Sequence, residues 1–270
     1  VKGFDLSDDA RAAIVDAGGE AFDTVQAAVS DADTVITMLP SGAIVKNVYE
    51  GEGGVFSAAK PGTLMIDSST IDVASARAVA ETAKIKGFEM VDAPVSGGVG
   101  GAAAGTLAFM VGGDATTFER AKPVLDPMGA KIVHTGGNGN GQAAKICNNM
   151  LLAISMIGTS EAFNLGRALG LEDQVLFDVA SNASGQCWSL TSYCPVPGPV
   201  PSSPANNDYA PGFATALMLK DLKLAMEAVD SVDANTPLGR ASAEIYNTMD
   251  QNGHGGMDFS AVIKQLADQL

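Results

Sequence analysis

The chain has 270 residues, enough for one large domain or two smaller ones, and 46% of them are apolar against 17% charged, so there is ample material for buried cores. Its 16 basic and 31 acidic residues leave a net charge of −15, which argues against nucleic acid and against an anionic membrane surface, since both are met by basic patches. No apolar run approaches the ~18 residues of a membrane span, and the three cysteines (Cys147, Cys187, Cys194) show neither metal-ligand spacing nor an even-numbered framework, so a reducing compartment and no metal are expected. "VKGFD" reads as the end of a strand, with Asp5 at its carboxyl end. "SDDARAAIVDAGG" follows as a helix capped by Ser7 and stopped by Gly18 and Gly19. A short helix near Thr24 to Val29 precedes a strand over 34–40, "TVITMLP". Then come a helix ("SGAIVKNVYE"), a strand ("GTLMIDSST"), a helix ("DVASARAVAETAKIKG") and a strand ("FEMVDAP"). "TLAFMVGG" and "KIVHTGG" read as strands flanking the helix "ATTFERAKPVLDPMG". Strands alternating with helices predict a parallel sheet with helices on both faces, and ligands of such sheets bind at the carboxyl ends of the strands.

From Gly141 the pattern changes. "GQAAKICNNMLLAISMIGTSEAFNLGRALG" predicts a single helix of roughly 30 residues, about 45 Å long. The remainder reads as mostly helical, interrupted by "YCPVPGPVPSSPANNDYAPG", whose five prolines between Pro195 and Pro204 exclude helix and central strand. That stretch reads as a loop wrapped on a second domain. "FATALMLKDLKLAMEAVD" follows as an amphipathic helix. Residues 1–138 thus form an α/β domain and residues 139–270 an all-α domain reached by a long interdomain helix.

Two segments carry chemistry. In "DAPVSGGVGGAAAGTLAFMVGG" (92–113), Gly97, Gly98, Gly100 and Gly101 let the backbone approach a ligand closely and point N–H groups at an anion, and Ser96 adds a hydroxyl. Glycines alone fit a plain glycine-rich hairpin equally well. In "GNGQAAKICNNM" (139–150), Lys145 sits in the first turns of the long helix, where the helix terminus favours a neutral, proton-accepting amine. Asn148 and Asn149 follow at helical spacing, so the three side chains are expected on one face, and "MLLAISMI" after them is apolar nearly all round, which predicts burial on every side. A lone helical lysine is ordinarily solvated; the asparagines and the apolar continuation weigh against that here.

Together these segments resemble the 3-hydroxyacid dehydrogenase family, related to 6-phosphogluconate dehydrogenase, and within it the 3-hydroxyisobutyrate branch above all. The resemblance spans essentially the whole chain and rests on "MLP" (38–40), "DSST" (67–70), "DAPVSGGVGGAAAGTL" (92–107), "GNGQAAKICNNMLLAISMIGTSEA" (139–162) and "FATALMLKDLKLA" (213–225), in the family's order. It implies a Rossmann-like domain followed by a helical substrate and oligomerisation domain, with NAD as cofactor. It implies that Lys145 is the catalytic acid/base, that Asn149 holds the substrate, and that Ser96 and Gly97, with Gly98 beside them, form the carboxylate-binding turn. Leu39, Pro40 and Thr70 match cofactor contacts, Asp5 the ribose-reading acid, and Lys220 a residue that closes over cofactor and substrate. One departure stands out. The family opens with a strand, a G-x-G-x-x-G turn and a helix before the strand that ends in the acidic residue, whereas this sequence opens on that last strand. The glycine turn is expected about 20 residues before the acid, so about 25 to 30 further residues are expected upstream of Val1.

The implied activity is NAD-dependent oxidation of 3-hydroxyisobutyrate to methylmalonate semialdehyde in valine breakdown. The alternatives are a related reductase of tartronate or succinate semialdehyde, and a non-enzymatic binding protein on the same fold. The partners expected are a small 3-hydroxy acid and further copies of the chain, as a homodimer or homotetramer, in a bacterial cytoplasm or alternatively a mitochondrial matrix.

Overall fold

The structure is a computed structural model describing residues 1–270, and it divides into two units, Val1–Lys145 and Ile146–Leu270. In the first, β1 (Lys2–Gly3) and β2 (Glu20–Ala21) pair in parallel as a small sheet of their own, with α1 (Asp8–Asp16) between them. After α2 (Val25–Val29) come β3 (Thr34–Thr37), α3 (Gly42–Glu50), α4 (Val55–Ala58), β4 (Leu64–Asp67), α5 (Val73–Ile85) and β5 (Glu89–Asp92). β3, β4 and β5 are parallel neighbours, as the alternation predicts. β6 (Val95–Ser96) and α6 (Gly98–Ala104) lead into β7 (Leu107–Gly112), which meets β5 in the antiparallel sense at Asp92↔Gly112 and pairs antiparallel with β6. After α7 (Ala115–Leu125), β8 (Gly129–Gly136) runs parallel to β7. The Rossmann-like parallel part therefore continues into antiparallel pairings. The alternation of strands and helices does not reveal them, because β6 is only two residues long.

The helices begin where short polar side chains can take up the first unpaired N–H groups. Ser7, Thr24, Ser41, Asp72 and Asp114 each accept such a bond at the start of α1, α2, α3, α5 and α7. All four residues of β4 are buried, and they alternate between two cores. Met65 packs with Val45, Tyr49 and Val79 on one face, while Leu64 and Ile66 pack with Val91, Phe109 and Leu125 on the other. "MLP" lies just past the end of β3, since the ladder stops at Thr37. Asp5 likewise stands two residues beyond β1 rather than within a strand.

α8 (Asn140–Ala168) runs for 29 residues and carries the chain into the second unit. There it is followed by α9 (Asp173–Ser181), α10 (Trp188–Thr191), α11 (Thr215–Ser231), α12 (Pro237–Met249) and α13 (Val262–Leu266). Ala153, Met156, Ile157 and Phe163 of α8 face a core with Leu190, Met218, Leu222, Tyr246 and Phe259. Burial of "MLLAISMI" on every side does not hold within the chain: Leu151 is 62% exposed. The core takes only one face of the helix, at the spacing of 153, 156, 157, 160 and 163.

The proline-rich stretch is an ordered wrap on this unit. Cys194, Val196, Val200 and Tyr209 enter the core, the Tyr209 hydroxyl donates to Pro195 C=O (2.7 Å) and Ser203 Oγ to Cys194 C=O (2.5 Å). Asp258, fully buried, closes the wrap: Oδ2 accepts from Tyr193 OH and from the N–H groups of Gly212 and Phe213, and Oδ1 from Ser260 N–H and Oγ.

Candidate active site

In the first unit the carboxyl ends of the parallel strands are tied together by buried polar groups. Asp67, at the end of β4, accepts at Oδ1 from Thr37 Oγ1 (2.7 Å) and from Ser69 Oγ (2.6 Å) and N–H (3.3 Å). Ser69 Oγ in turn accepts the N–H of Leu39 (2.8 Å), so the loops after β3 and β4 are held at one edge. These loops carry Leu39, Pro40 and Thr70. Leu39 packs partly into the core, Pro40 is exposed and Thr70 half-buried. Ser68 Oγ, between them, is buried with no protein partner. An orphaned hydroxyl at the carboxyl end of a parallel sheet fits a ligand that brings polar atoms to that edge, as a dinucleotide does. Burial pushes the Asp67 carboxyl above the ordinary carboxylate range, against the pull of its three donors.

Asp92, at the end of β5, takes two N–H groups at the start of α8: Gly139 N–H to Oδ1 (2.7 Å) and Gln142 N–H to Oδ2 (3.0 Å). Burial moves this carboxyl up to about 6, opposed by the same two N–H groups. The helix start lies so close to the sheet that a Cβ on Gly141 would clash with Met110 C=O. Glycine there serves close approach. Lys145, in the second turn of α8, is only 7% exposed. In the turn between β6 and α6, Ser96 is half-buried and Gly97 and Gly98 are exposed, with φ of 134° and 62°, conformations that favour glycine. Asp5 is exposed in the loop after β1, and its Oδ1 accepts Ser7 N–H (2.8 Å). Arg11 folds back from α1 so that its guanidinium meets the Asp5 C=O and the Asp8 carboxylate.

In the second unit, Asn149 is 2% exposed and donates from Nδ2 to Asp221 Oδ2 (2.5 Å), while its Oδ1 accepts from Asn148 Nδ2 (3.0 Å). Asn148 itself is exposed, which corrects the expectation of one shared face. At 100° per residue the fourth position stays over the lysine and the third turns outward. Lys220, half-buried, precedes Asp221 on α11.

The structure thus gathers Leu39, the Ser68–Thr70 loop and the helix start before Lys145 in one network. It leaves Asp5 in the loop after the separate small sheet and Ser96–Gly98 in their own turn. Three participants went unread from the sequence as site residues: Asp92 and Gln142, although both lie inside quoted motifs, and Asp221, adjacent to Lys220.

Polar loops at the ends of parallel strands, followed by a helix bearing a buried lysine, are the arrangement expected of a dinucleotide-dependent oxidoreductase. The NAD binding domain of 6-phosphogluconate dehydrogenase matches residues 1–136, and the NAD-binding domain of NADP-dependent 3-hydroxyisobutyrate dehydrogenase matches residues 139–266. A probable 3-hydroxyisobutyrate dehydrogenase of Mycobacterium tuberculosis is 54% identical, over 98% of this chain and 89% of that protein. The solved structure titled as Mycobacterium tuberculosis 3-hydroxyisobutyrate dehydrogenase with L-serine superposes with a TM-score of 0.95, at 54% identity, covering 98% of this chain and 90% of that one. An NAD-dependent L-serine dehydrogenase of Pseudomonas aeruginosa is 46% identical over 97% of this chain and 88% of its own length. The chain belongs to the 3-hydroxyisobutyrate dehydrogenase family and is an NAD-dependent hydroxyacid dehydrogenase. No helix is long and apolar enough to cross a membrane.

Proposed function

We propose that the chain oxidises 3-hydroxyisobutyrate to methylmalonate semialdehyde, as a step of valine breakdown, with Lys145 as general acid/base. The observation that carries this reading is the burial of Lys145, 7% exposed, one helical turn before Asn149, 2% exposed. A solvated surface lysine needs neither. The substrate hydroxyl gives its proton to the neutral Lys145 amine as hydride leaves the same carbon, and in reverse the ammonium returns the proton to the alkoxide. NAD, when bound, supplies the hydride acceptor. Ser96 Oγ and the N–H groups of Gly97 and Gly98 receive the substrate carboxylate. Asn149 holds the substrate with an amide whose orientation Asp221 fixes, since a carboxylate oxygen selects the Nδ2 end. Leu39, Pro40 and Thr70 contact the cofactor, Asp5 reads its ribose and Lys220 closes over cofactor and substrate. The chain works as a homodimer or homotetramer assembled through its helical part.

L-Serine is the second reading. It shares the 3-hydroxy acid skeleton, it is named with the solved structure of a relative, and it is the substrate named for another relative. Steady-state kinetics on 3-hydroxyisobutyrate, L-serine and the hydroxy acids of tartronate and succinate semialdehyde decide between them. The highest kcat/KM is expected for 3-hydroxyisobutyrate. A higher value for L-serine replaces the first reading with the second, and no turnover of any 3-hydroxy acid removes both.

A further inference from the structure

Gln142 is completely buried, yet it carries an amide where a leucine or methionine would fill the space without desolvating polar atoms. Both ends of that amide are used on one loop. Oε1 accepts the N–H of Ile71 (3.1 Å), and Nε2 donates to the C=O of Ser69 (2.7 Å). The residue's own N–H donates to Asp92 Oδ2 (3.0 Å). A side chain on the first turn of α8 therefore grips the backbone on either side of Thr70. That loop is already fixed to β3 through Ser69 Oγ and Leu39 N–H, and to β4 through Asp67. Lys145 lies three residues further along α8, an axial rise of about 4.5 Å and roughly one turn on. Sliding and tilting of the helix start are also limited by the Asp92 bonds to Gly139 and Gln142 and by the close packing at Gly141.

We infer that Gln142 is a positioning residue: its side-chain amide locks the helix start that carries Lys145 in register with the cofactor-contacting loop Ser69–Ile71. The inference rests on the proposed roles of Lys145 and Thr70. Hydride and proton leave neighbouring atoms of one substrate, so the distance between the base and the hydride acceptor must be held closely, and small misplacement is costly in rate. Gln142 sets that distance without touching either reactant.

The test uses three variants of the whole chain, with kcat expressed per folded molecule. Gln142→Met keeps the shape and removes both side-chain bonds. It is expected to lower kcat at least tenfold while KM for the hydroxy acid stays within threefold. The primary deuterium isotope effect, with substrate labelled at the carbinol carbon, should rise toward its full value. A kcat within twofold of the unaltered chain would overturn the inference, whatever happens to thermal stability, since a purely structural role lowers stability without touching turnover of the folded fraction. Gln142→Glu covers the case in which the Met variant does not fold. Ionised, Glu keeps the acceptor toward Ile71 but meets Ser69 C=O without a proton; protonated, it donates there again. Its kcat relative to the unaltered chain should recover as pH falls, and a pH profile parallel to the unaltered one counts against the inference. Lys145→Ala separates the two levels. A loss of two or more orders of magnitude keeps the acid/base reading, so normal turnover in Gln142→Met then rejects positioning alone. Near-normal turnover in Lys145→Ala rejects the reading on which positioning rests.

Discussion

The proposed ribose-reading role of Asp5 rests the choice of cofactor on one carboxylate. A carboxylate beside the adenosine ribose accepts hydrogen bonds from both hydroxyls of NAD and repels the extra phosphate of NADP. After Asp5 the sequence places its first basic residue, Arg11, behind two further acids, but the fold brings its guanidinium back onto the Asp5 carbonyl and the Asp8 carboxylate. A cation therefore already stands at the strand end, held by groups other than the Asp5 side chain. We expect a preference for NAD of at least tenfold in kcat/KM, which needs only about 1.4 kcal/mol. Asp5→Ser combined with Leu6→Arg is expected to narrow or invert it, because Leu6 is 90% exposed and an arginine there meets no packing constraint. Equal use of both cofactors by the unaltered enzyme would show that Asp5 does not read the ribose. The type of residue 5 and its place after a strand are legible in the sequence. The return of Arg11 is not, because it depends on how a long side chain curls over its own helix start.

Among the elements, α8 shows how far local pattern reaches. Its existence and length follow from the sequence: a helix expected from Gly141 to Gly170 spans Asn140–Ala168. What anchors its first turn does not. Asp92 caps it from another strand, 50 residues away from Gln142. Burial raises the carboxyl from its ordinary 3.8 to about 6, and Asp67 moves in the same direction. The folded chain then binds more protons than the unfolded chain between these values, so the stability that Asp92 contributes is present below pH 4 and is lost as pH rises through about 6. The change from 3.8 to about 6 corresponds to roughly 3 kcal/mol. Asp92→Asn removes this titration and leaves one N–H facing an amide donor, at a cost of about 1–3 kcal/mol. Denaturant unfolding from pH 4 to 7 is expected to show the gap between the unaltered chain and Asp92→Asn shrinking as pH rises. A widening gap would mean that Asp92 is held in its ionised form by the two N–H groups.

For the molecule as a whole, the helical unit leaves apolar surface uncovered. Leu165 (62% exposed) and Leu169 (78%) on or just after α8, and Val179 (62%) on α9, have no partner in the chain that hides them. Nearby, Gly158, Ala162, Phe163, Leu176, Ala180 and Leu190 line a hollow of about 300 Å³. Surface of this kind is ordinarily covered by another molecule, and the proposed homo-oligomer covers it with a second copy. Multi-angle light scattering at micromolar concentration is expected to give two or four times 27.4 kDa. A clean monomer mass would reject self-association through this surface.

The sequence by itself determined what depends on neighbours within about four residues. N-caps such as Ser7, Asp72 and Asp114 announce helices because a short oxygen side chain reaches an N–H three positions on. Glycines at positive φ, as at Gly97 and Gly98, mark turns that other residues resist. The order of the motifs was enough to place the chain in its family. Only the tertiary structure decided which polar residues leave water. Asn148 and Asn149 are adjacent and chemically identical, yet one is exposed and the other is buried against Asp221, 72 residues away. Gln142 finds Ile71 across 71 residues. A buried amide or carboxylate is stable only where a distant segment delivers the matching donor or acceptor, and that delivery is a property of the packed chain that no local window contains.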